Sequence, residues 1–205
     1  MKVTKAALWA VLRATKIDAA SGGDGVLFEH DKMIATDNAR LHIARAIEPD
    51  KPRRAYWLHW RDVTELWRIA SRREPIRLID VDDRIQATGG KFGDEPSYFT
   101  PNHAPVGDVG YAVDPSVFPD WRSVIKRDQT PDTEAHFDGR YIAEAIESAH
   151  SVERAAANPG HVRDSSVKIE MGPPWKPMCI RSSGGEFAAW VMPMRAWPPE
   201  RSAED

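Results

Sequence analysis

The alternation of apolar and polar positions divides this chain into helix-sized and strand-sized segments. Apolar residues recur every three or four positions in three segments, which predicts helices over about 4–16, 60–73 and 139–156. Short apolar runs predict strands at 25–29, 33–36, 41–47, 76–81, 84–88, 167–171, 178–181 and 187–194. Turns are predicted at 30–32, 82–83 and 184–185. The stretch 89–116, rich in Gly, Pro and Asp, predicts an irregular loop with one strand near 111–113.

The first two predicted helices carry basic residues on one side and small apolar residues on the other. Each is therefore expected to lie on a sheet and to present a positive surface. The plainer alternative is an ordinary solvated helix face. The third helix is not uniformly basic, because Glu144 and Glu147 accompany Arg140 and Arg154. The basic residues of the first two helices and their flanks are Lys2, Lys5, Arg13, Lys16, Arg61, Arg68 and Arg72.

Composition narrows the possible functions of the 205-residue chain. With 28 Lys and Arg against 31 Asp and Glu, its net charge is −3, so nucleic-acid binding requires cations gathered on one face. Its single cysteine, Cys179, excludes a disulfide within the chain and a cysteine-based metal site. No apolar run approaches the roughly 20 residues that span a bilayer, so a cytoplasmic protein without a membrane partner is expected.

A short segment near the end, Trp190-Val191-Met192-Pro193-Met194-Arg195, has unusual chemistry. Methionine side chains are flexible and polarizable, which suits a surface that adapts to several partners. Proline cannot donate to a sheet ladder and belongs at a sheet edge or a strand end. The segment therefore fits one wall of a peptide-binding groove. A final strand that closes the core is the alternative on chemistry alone.

This segment resembles the C-terminal signature of the bacterial DNA polymerase sliding clamp (beta subunit), Val-Met-Pro-Met-Arg. Two further segments resemble that family in the same order. Thr36-Asp37-Asn38-Ala39-Arg40-Leu41 is similar to its Thr-Asp-Gly-His-Arg-Leu, and Phe118-Pro119-Asp120-Trp121-Arg122-Ser123-Val124-Ile125 is similar to its Phe-Pro-Asp-Tyr-Arg-Arg-Val-Leu. Departures such as Asn38-Ala39 and Ser123 imply that client specificity differs from that of an ordinary clamp.

The resemblance implies one peptide-binding pocket assembled from distant segments, which would receive short motifs of client proteins. Asp138 and Tyr141 stand where the family has Asn and Tyr at the start of its last helix. The implied pocket residues are Thr36, Asn38, Ala39, Arg40, Leu41, Phe118, Pro119, Val124, Asp138, Tyr141, Val191, Met192, Pro193, Met194 and Arg195.

The fold that the resemblance implies is the α+β sliding-clamp (DNA clamp) fold. In it, helix-plus-antiparallel-sheet units repeat and the helices cover one face of the sheets. Residues 1–127 are expected to form one complete clamp-like domain and 128–197 an abbreviated second one. Residues 198–205 are expected to form a disordered polar tail.

The function implied is non-enzymatic. A homo-oligomer would encircle or tether to duplex DNA without reading sequence, would bind polymerases or repair proteins carrying clamp-binding motifs, and could be opened by a clamp loader at the nucleoid. The alternative is a clamp-fold interaction module that binds or sequesters clients without closing a ring. A discrete trimer or tetramer in solution would favour the ring, and a stable monomer the module.

A small metal-dependent hydrolase is the third hypothesis. Its candidate ligands lack the close spacing of known metal motifs, so no metal and no cofactor is expected. These candidates are His103, Asp108, His136, Asp138, His150 and His161.

Overall fold

A computed structural model of the chain describes residues 1–15, 25–37, 39–48, 55–72, 74–81, 84–90, 96–99, 102–103, 121–122, 136–156, 166–173 and 176–194. Three helices of eight or more residues lie within these ranges: α1 (Lys5–Leu12), α2 (Trp60–Ile69) and α3 (Gly139–Ala156). The strands in the same ranges are β1 (Lys2–Val3), β2 (Gly25–Glu29), β3 (Lys32–Thr36), β4 (Arg40–Arg45), β5 (Tyr56–His59), β6 (Ile76–Val81), β7 (Arg84–Thr88), β8 (Ser97–Phe99), β9 (Asn102–His103), β10 (Val167–Glu170), β11 (Met178–Ser182) and β12 (Phe187–Val191).

The chain repeats one unit, a helix followed by three antiparallel strands that are neighbours in one sheet. The strands are β2–β3–β4 after α1, β6–β7–β8 after α2 and β10–β11–β12 after α3. The strand before each of the first two helices pairs with a strand of the other repeat. β1, before α1, pairs with β6, and β5, before α2, pairs with β2. The sheets have the orders β1-β6-β7-β8 and β10-β11-β12-β4-β3-β2-β5-β9. The predicted α+β fold of repeated helix-and-sheet units is therefore confirmed.

Helix α1 begins where its N-cap predicts. The Thr4 hydroxyl accepts the Ala7 N–H at 3.0 Å, which satisfies one of the free amides of the first turn. Lys2 and Val3 are extended and pair with β6. The prediction that Lys2 belongs to the basic stripe of this helix was therefore wrong, because helical spacing does not apply to a residue in a strand.

The same helix ends at Leu12, before the predicted end at 16. Ala14 and Thr15 donate their N–H groups to carbonyls three residues back, which tightens the last turn and closes the helix. The carbonyl of Ala10 instead meets the His42 ring of β4, with a Nδ1–O distance of 2.7 Å. A side chain from the sheet thus caps the C-terminal end of α1.

Helix α2 ends at Ile69, so Arg72 lies beyond the helix on which it was predicted. Ala70 takes an extended ψ of 128°, and its carbonyl accepts a hydrogen bond from the Lys5 ammonium at 3.0 Å. Gly90 has a φ of +64°, and a Cβ there would lie 2.9 Å from the Ile69 carbonyl oxygen. A glycine is therefore required at that close approach.

One apolar core joins the described parts of all three repeats. The helices pack on one face of the eight-stranded sheet, α1 contacts both α2 and α3, and the four-stranded sheet closes the same core. Phe28, Phe187, Leu8, Met33, Leu58, Leu66, Ile76 and Ile85 are among its fully buried side chains. Whether 1–127 and 128–197 are independent domains stays a prediction.

The opposite face of the eight-stranded sheet carries a second apolar group, here called the outer cluster. It consists of Leu27, Ile34, Leu41, Ile43, Ala55, Trp57 and Trp121, with Trp190 packed against it. Both faces of the strands β2 to β4 are therefore covered, which explains why their burial does not alternate.

Two described parts of the segment 89–116 form strands, β8 and β9. β8 pairs with β7 and β9 pairs with β5, so the prediction of an irregular loop over those residues was wrong. Neighbouring strands supply hydrogen bonds that the local sequence does not signal. The predicted strand near 111–113 and the tail 198–205 lie outside the described residues. In the described part, no helix has both the length and the apolarity needed to cross a membrane.

Candidate functional site

The segment after β12 runs between two other parts of the chain. Val191 lies opposite Arg40 in the β12–β4 pairing. The next amide, that of Met192, donates to the Ala39 carbonyl at 2.9 Å, and the amide of Met194 donates to the His136 carbonyl at 2.7 Å. These two amides thus link the segment to the β3–β4 turn and to the residues just before α3. Pro193 lies between them, where no amide donor is needed.

The β3–β4 turn is fixed by one carboxylate. Asp37 Oδ1 accepts the amides of Ala39 and Arg40, each at 3.0 Å, and Oδ2 receives Arg40 Nε at 3.0 Å. The Thr36 hydroxyl donates to the Arg40 carbonyl at 2.8 Å. An aspartate that bonds amides two and three positions ahead stabilises a turn, so the motif holds its own backbone geometry.

Arg40 is the centre of this site. Its side chain is only 12% exposed, its guanidinium lies 4.4 Å from the centre of the Tyr141 ring, and it pairs with both Asp37 and Glu144. Two carboxylates and an aromatic face satisfy a cation that burial would otherwise penalise. The pair with Glu144 also ties β4 to the second turn of α3.

Asp138 stands immediately before α3 and is tied to its first turn. Its Oδ1 accepts the Arg140 amide at 2.9 Å, and its Oδ2 pairs with the Arg140 guanidinium at 2.7 Å. These bonds from Arg140 hold the pKa of the Asp138 carboxyl below its usual range. Asp138 is thus an ionised cap at the helix start.

We call the described residues of this region the Met-Pro-Met site: Thr36, Asp37, Ala39, Arg40, Leu41, Asp138, Tyr141, Glu144, Val191, Met192, Pro193 and Met194. Met194 is 55% exposed, whereas Met192 and Pro193 are half-buried. Val191 is buried in the core on the helix side and Leu41 in the outer cluster, so these two lie on opposite faces of the sheet. Met194 is therefore the most exposed apolar side chain among the described residues of this site.

The segment 118–125, which resembles the Phe-Pro-Asp-Tyr-Arg motif, contributes two described residues, Trp121 and Arg122. Trp121 is buried in the outer cluster, and Arg122 pairs with the buried carboxylate of Glu29 at 2.6 Å. This anchors the motif to the outer face of the sheet, at β2. Of the predicted pocket residues, Asn38, Phe118, Pro119, Val124 and Arg195 lie outside the described residues.

The predicted basic face is partly neutralised within the chain. Arg13 lies 3.9 Å from the Trp9 ring centre and pairs with Glu147 of α3 at 2.7 Å. Lys5 lies 4.8 Å from the Trp67 ring centre. Glu144 and Glu147 of α3 therefore face cations of the β3–β4 turn and of the end of α1, Arg40 and Arg13.

The remaining predicted cations differ in their setting. Lys2 pairs with Glu48 at 2.8 Å, away from the helical stripe. Arg61 is exposed over the Trp60 ring, and exposed Arg68 pairs with Glu65 of its own helix. Exposed contacts of this kind are weak, so the positive charge of both arginines stays accessible at the surface. Lys16 lies outside the described residues.

Three residues that form these ion pairs, Asp37, Glu144 and Glu147, were not predicted to take part. Asp37 was part of the recognised motif but not counted as a pocket residue, although an aspartate three positions before an arginine is a local signal for a turn and an ion pair. Glu144 and Glu147 were interpreted as an acidic outer face. Their partners lie more than a hundred residues away, so no local pattern reveals the pairs.

No group of three or more His, Cys, Asp or Glu side chains in the described ranges is close enough to hold a metal ion. Asp108 and His161, two of the candidate ligands, lie outside those ranges.

No protein-family model matches this chain, and no curated protein matches its sequence. Solved structures do match. A putative DNA polymerase III beta subunit from Eubacterium rectale is 12% identical, with a TM-score of 0.54 over 95% of this chain and 64% of that one. Caulobacter crescentus pol III beta is 12% identical, with a TM-score of 0.57 over 96% and 66%. DNA polymerase III subunit beta from Borrelia burgdorferi is 12% identical, with a TM-score of 0.59 over 96% and 63%.

These similarities show that the chain has the sliding-clamp fold, and the resemblance found in the three motifs is confirmed at that level. The chain spans 63–66% of the length of these three structures.

Proposed function

We propose that this chain is a non-enzymatic, sliding-clamp-like processivity factor. It tethers to or encircles duplex DNA as a homo-oligomer and binds client proteins through the Met-Pro-Met site. Its partners are duplex DNA, polymerases or repair proteins that carry clamp-binding motifs, and a clamp loader. Its place is the cytoplasm, at the nucleoid. The fold is that of the clamps, while these activities are the proposal.

One observation carries the client-binding part. Residues from three segments that are distant in sequence, 36–41, 138–144 and 191–194, meet at one place on the surface, joined by the bonds from Met192 to Ala39 and from Met194 to His136. An extended peptide is typically held by an apolar surface with a few polar anchors. Exposed Met194 supplies the apolar part, while Tyr141, whose ring lies against Arg40, and Asp138, two residues after His136, supply the aromatic and polar anchors.

Met194→Ala is expected to weaken binding of a fluorescent peptide carrying a bacterial clamp-binding motif about tenfold, because a flexible apolar contact is lost. Fluorescence polarization measures the affinity. Met171→Ala is the matched control, since Met171 is 69% exposed and lies just after β10. Equal affinity of the two variants would contradict the assignment of this site.

The DNA-tethering part rests on cations at the helical side of the core. A protein that contacts phosphates releases counterions, so its affinity falls with salt in proportion to the contacts made. Arg68→Ala with Arg72→Ala is expected to weaken duplex binding and to reduce the slope of log affinity against log salt by about 2.

The control for this variant removes the same charge from the opposite face. Arg77 and Arg84 are exposed on β6 and β7, and their neighbours Ile76 and Ile85 point into the core. Arg77→Ala with Arg84→Ala should leave the slope within about 0.5 of the wild-type value. If both double variants change the slope equally, bulk charge explains the binding and the tether is wrong.

A second function, the interaction module that binds or sequesters clients without a closed ring, is favoured by one specific observation. Glu147 pairs with Arg13 and so removes a cation from the surface that a ring would turn toward DNA. A stable monomer in solution that binds the client peptide but not duplex DNA would support the module over the processivity factor.

A further inference from the structure

A cavity of about 510 Å³ lies where the three helices meet. The start of α1 lines it with Lys5 and Trp9, the end of α2 and the turn after it with Trp67 and Arg72, and the last turns of α3 with Arg154. A volume of this size is typical of sites for small organic ligands. None of the described residues that line this cavity belongs to the Met-Pro-Met site.

The charge of the lining residues favours an anionic ligand. Three cations line it, and none of the described lining residues is acidic. Arg72 and Arg154 have no ion-pair partner in the described part of the chain, and both are exposed. The hydroxyls of Thr4 and Ser151 add neutral hydrogen-bonding groups. Such a lining favours an anion with several acceptor oxygens, which a phosphate provides.

The aromatic side chains of the lining narrow the class of ligand further. Trp9 and Trp67 come from different helices, and each already holds a cation against its ring, Arg13 at 3.9 Å and Lys5 at 4.8 Å. Indole rings beside cations are the usual platform for nucleobases in proteins that bind single strands, where base stacking and phosphate attraction act together. An acidic peptide would satisfy the cations but would bring no planar ring for the indoles.

We propose that this cavity binds one unpaired nucleotide of single-stranded DNA, with its base against the indoles of Trp9 and Trp67 and its phosphates on Lys5, Arg72 and Arg154. The inference rests on the proposed function, because the cavity lies on the side assigned to DNA. It adds a preference for places where duplex and single strand meet.

Binding of labelled oligo(dT) of eight nucleotides to the full chain tests the proposal by fluorescence polarization. We expect Trp67→Leu to weaken this binding at least about tenfold, because a stacking contact with a base is lost. We expect a loss of similar size for Arg72→Ala with Arg154→Ala, because two phosphate contacts are lost. Trp60→Leu is the matched control. Trp60 is also on α2 but does not line the cavity, so its loss should change the affinity less than about twofold.

Crosslinking of the wild-type chain keeps the test independent of whether the variants fold. An oligonucleotide carrying 5-iododeoxyuridine should crosslink to peptides containing Trp9 or Trp67. Crosslinks elsewhere, or wild-type affinity in Trp67→Leu and in the double arginine variant, would overturn the proposal. Displacement of the oligonucleotide by thymidine monophosphate would assign the site to a free nucleotide, and equal binding of an oligoglutamate peptide would assign it to acidic peptides; each overturns it.

Binding of the chain to a closed circular duplex, measured beside binding to oligo(dT), separates this proposal from the function on which it rests. Duplex binding without oligo(dT) binding refutes the nucleotide site and leaves the tether intact. Loss of both refutes both.

Discussion

Replacing Phe187 with alanine is expected to lower the free energy of unfolding by about 3–5 kcal/mol, the range for truncating a buried aromatic side chain. Phe187 is 1% exposed, and its ring meets His42 edge-on at 5.3 Å between ring centres. It belongs to β12, the strand that joins the third repeat to β4 of the first. Its loss therefore weakens the junction between the two expected domains.

Unfolding of this variant in denaturant, followed by circular dichroism and by hydrogen exchange, also tests the domain prediction. Because one core contains residues of all three repeats, we expect a single transition in which α3 and α1 lose protection together. Ile169→Ala on β10 is the control, since Ile169 is 47% exposed and should cost less than about 1 kcal/mol. Early loss of 136–194 alone would indicate separate domains.

Acid is expected to destabilise the protein through His42. Its ring is fully buried between α1 and the sheet, Nδ1 donates to the Ala10 carbonyl, and Nε2 has no hydrogen-bond partner among the described residues. Burial, opposed by the bond to Ala10, lowers the pKa of His42 from 6.5 to about 4. The nearby cations Arg40 and Arg13 contribute to this lowering of the pKa, and the ring stays neutral in the folded state near pH 7.

The direction of the pH effect follows from this lowered pKa. Above pH 6.5, His42 is neutral in both the folded and the unfolded chain, so its full contribution to stability is present. As the pH falls from 6.5 toward 4, the unfolded chain takes up a proton that the folded ring refuses, and about 3 kcal/mol of stability is lost.

Free energies of unfolding measured from pH 7 to 4 check this expectation against His42→Gln. Glutamine keeps an amide donor for the Ala10 carbonyl but does not titrate, so the difference between the two proteins should shrink as the pH falls. A difference that is constant across this range would show that His42 is not held neutral.

The carboxylates of α3 link stability to function. Glu144 and Glu147 pair α3 with Arg40 and Arg13, and the pair with Glu147 neutralises Arg13, one of the cations of the proposed DNA-binding surface. In the proposed tether, the cations left for phosphates include Arg68, Arg72 and Arg154, which lie around the ends of the helices. Few phosphate contacts of this kind would suit the proposed movement along the duplex.

The bounds of α3 could be predicted because all its signals are local. Asp138 precedes the helix as a cap, and Ala145, Ala149 and Val152 are buried at helical spacing. The hairpin turn at Gly184–Gly185 is equally local, since Gly185 takes a φ of +79° that other residues avoid. The ends of α1 and α2 were harder to predict, because residues from other parts of the chain, His42 and Gly90, approach them closely.

The sequence by itself determined the three helices, eight of the described strands and the three motifs of the candidate site, because hydrophobic period, caps and turns act over a few residues. Only the tertiary structure decided which strands became neighbours and which charges met. The β12–β4 pairing and the ion pairs Arg40–Glu144 and Arg13–Glu147 join segments more than a hundred residues apart. Such contacts depend on the shape of the whole core, which no local pattern encodes.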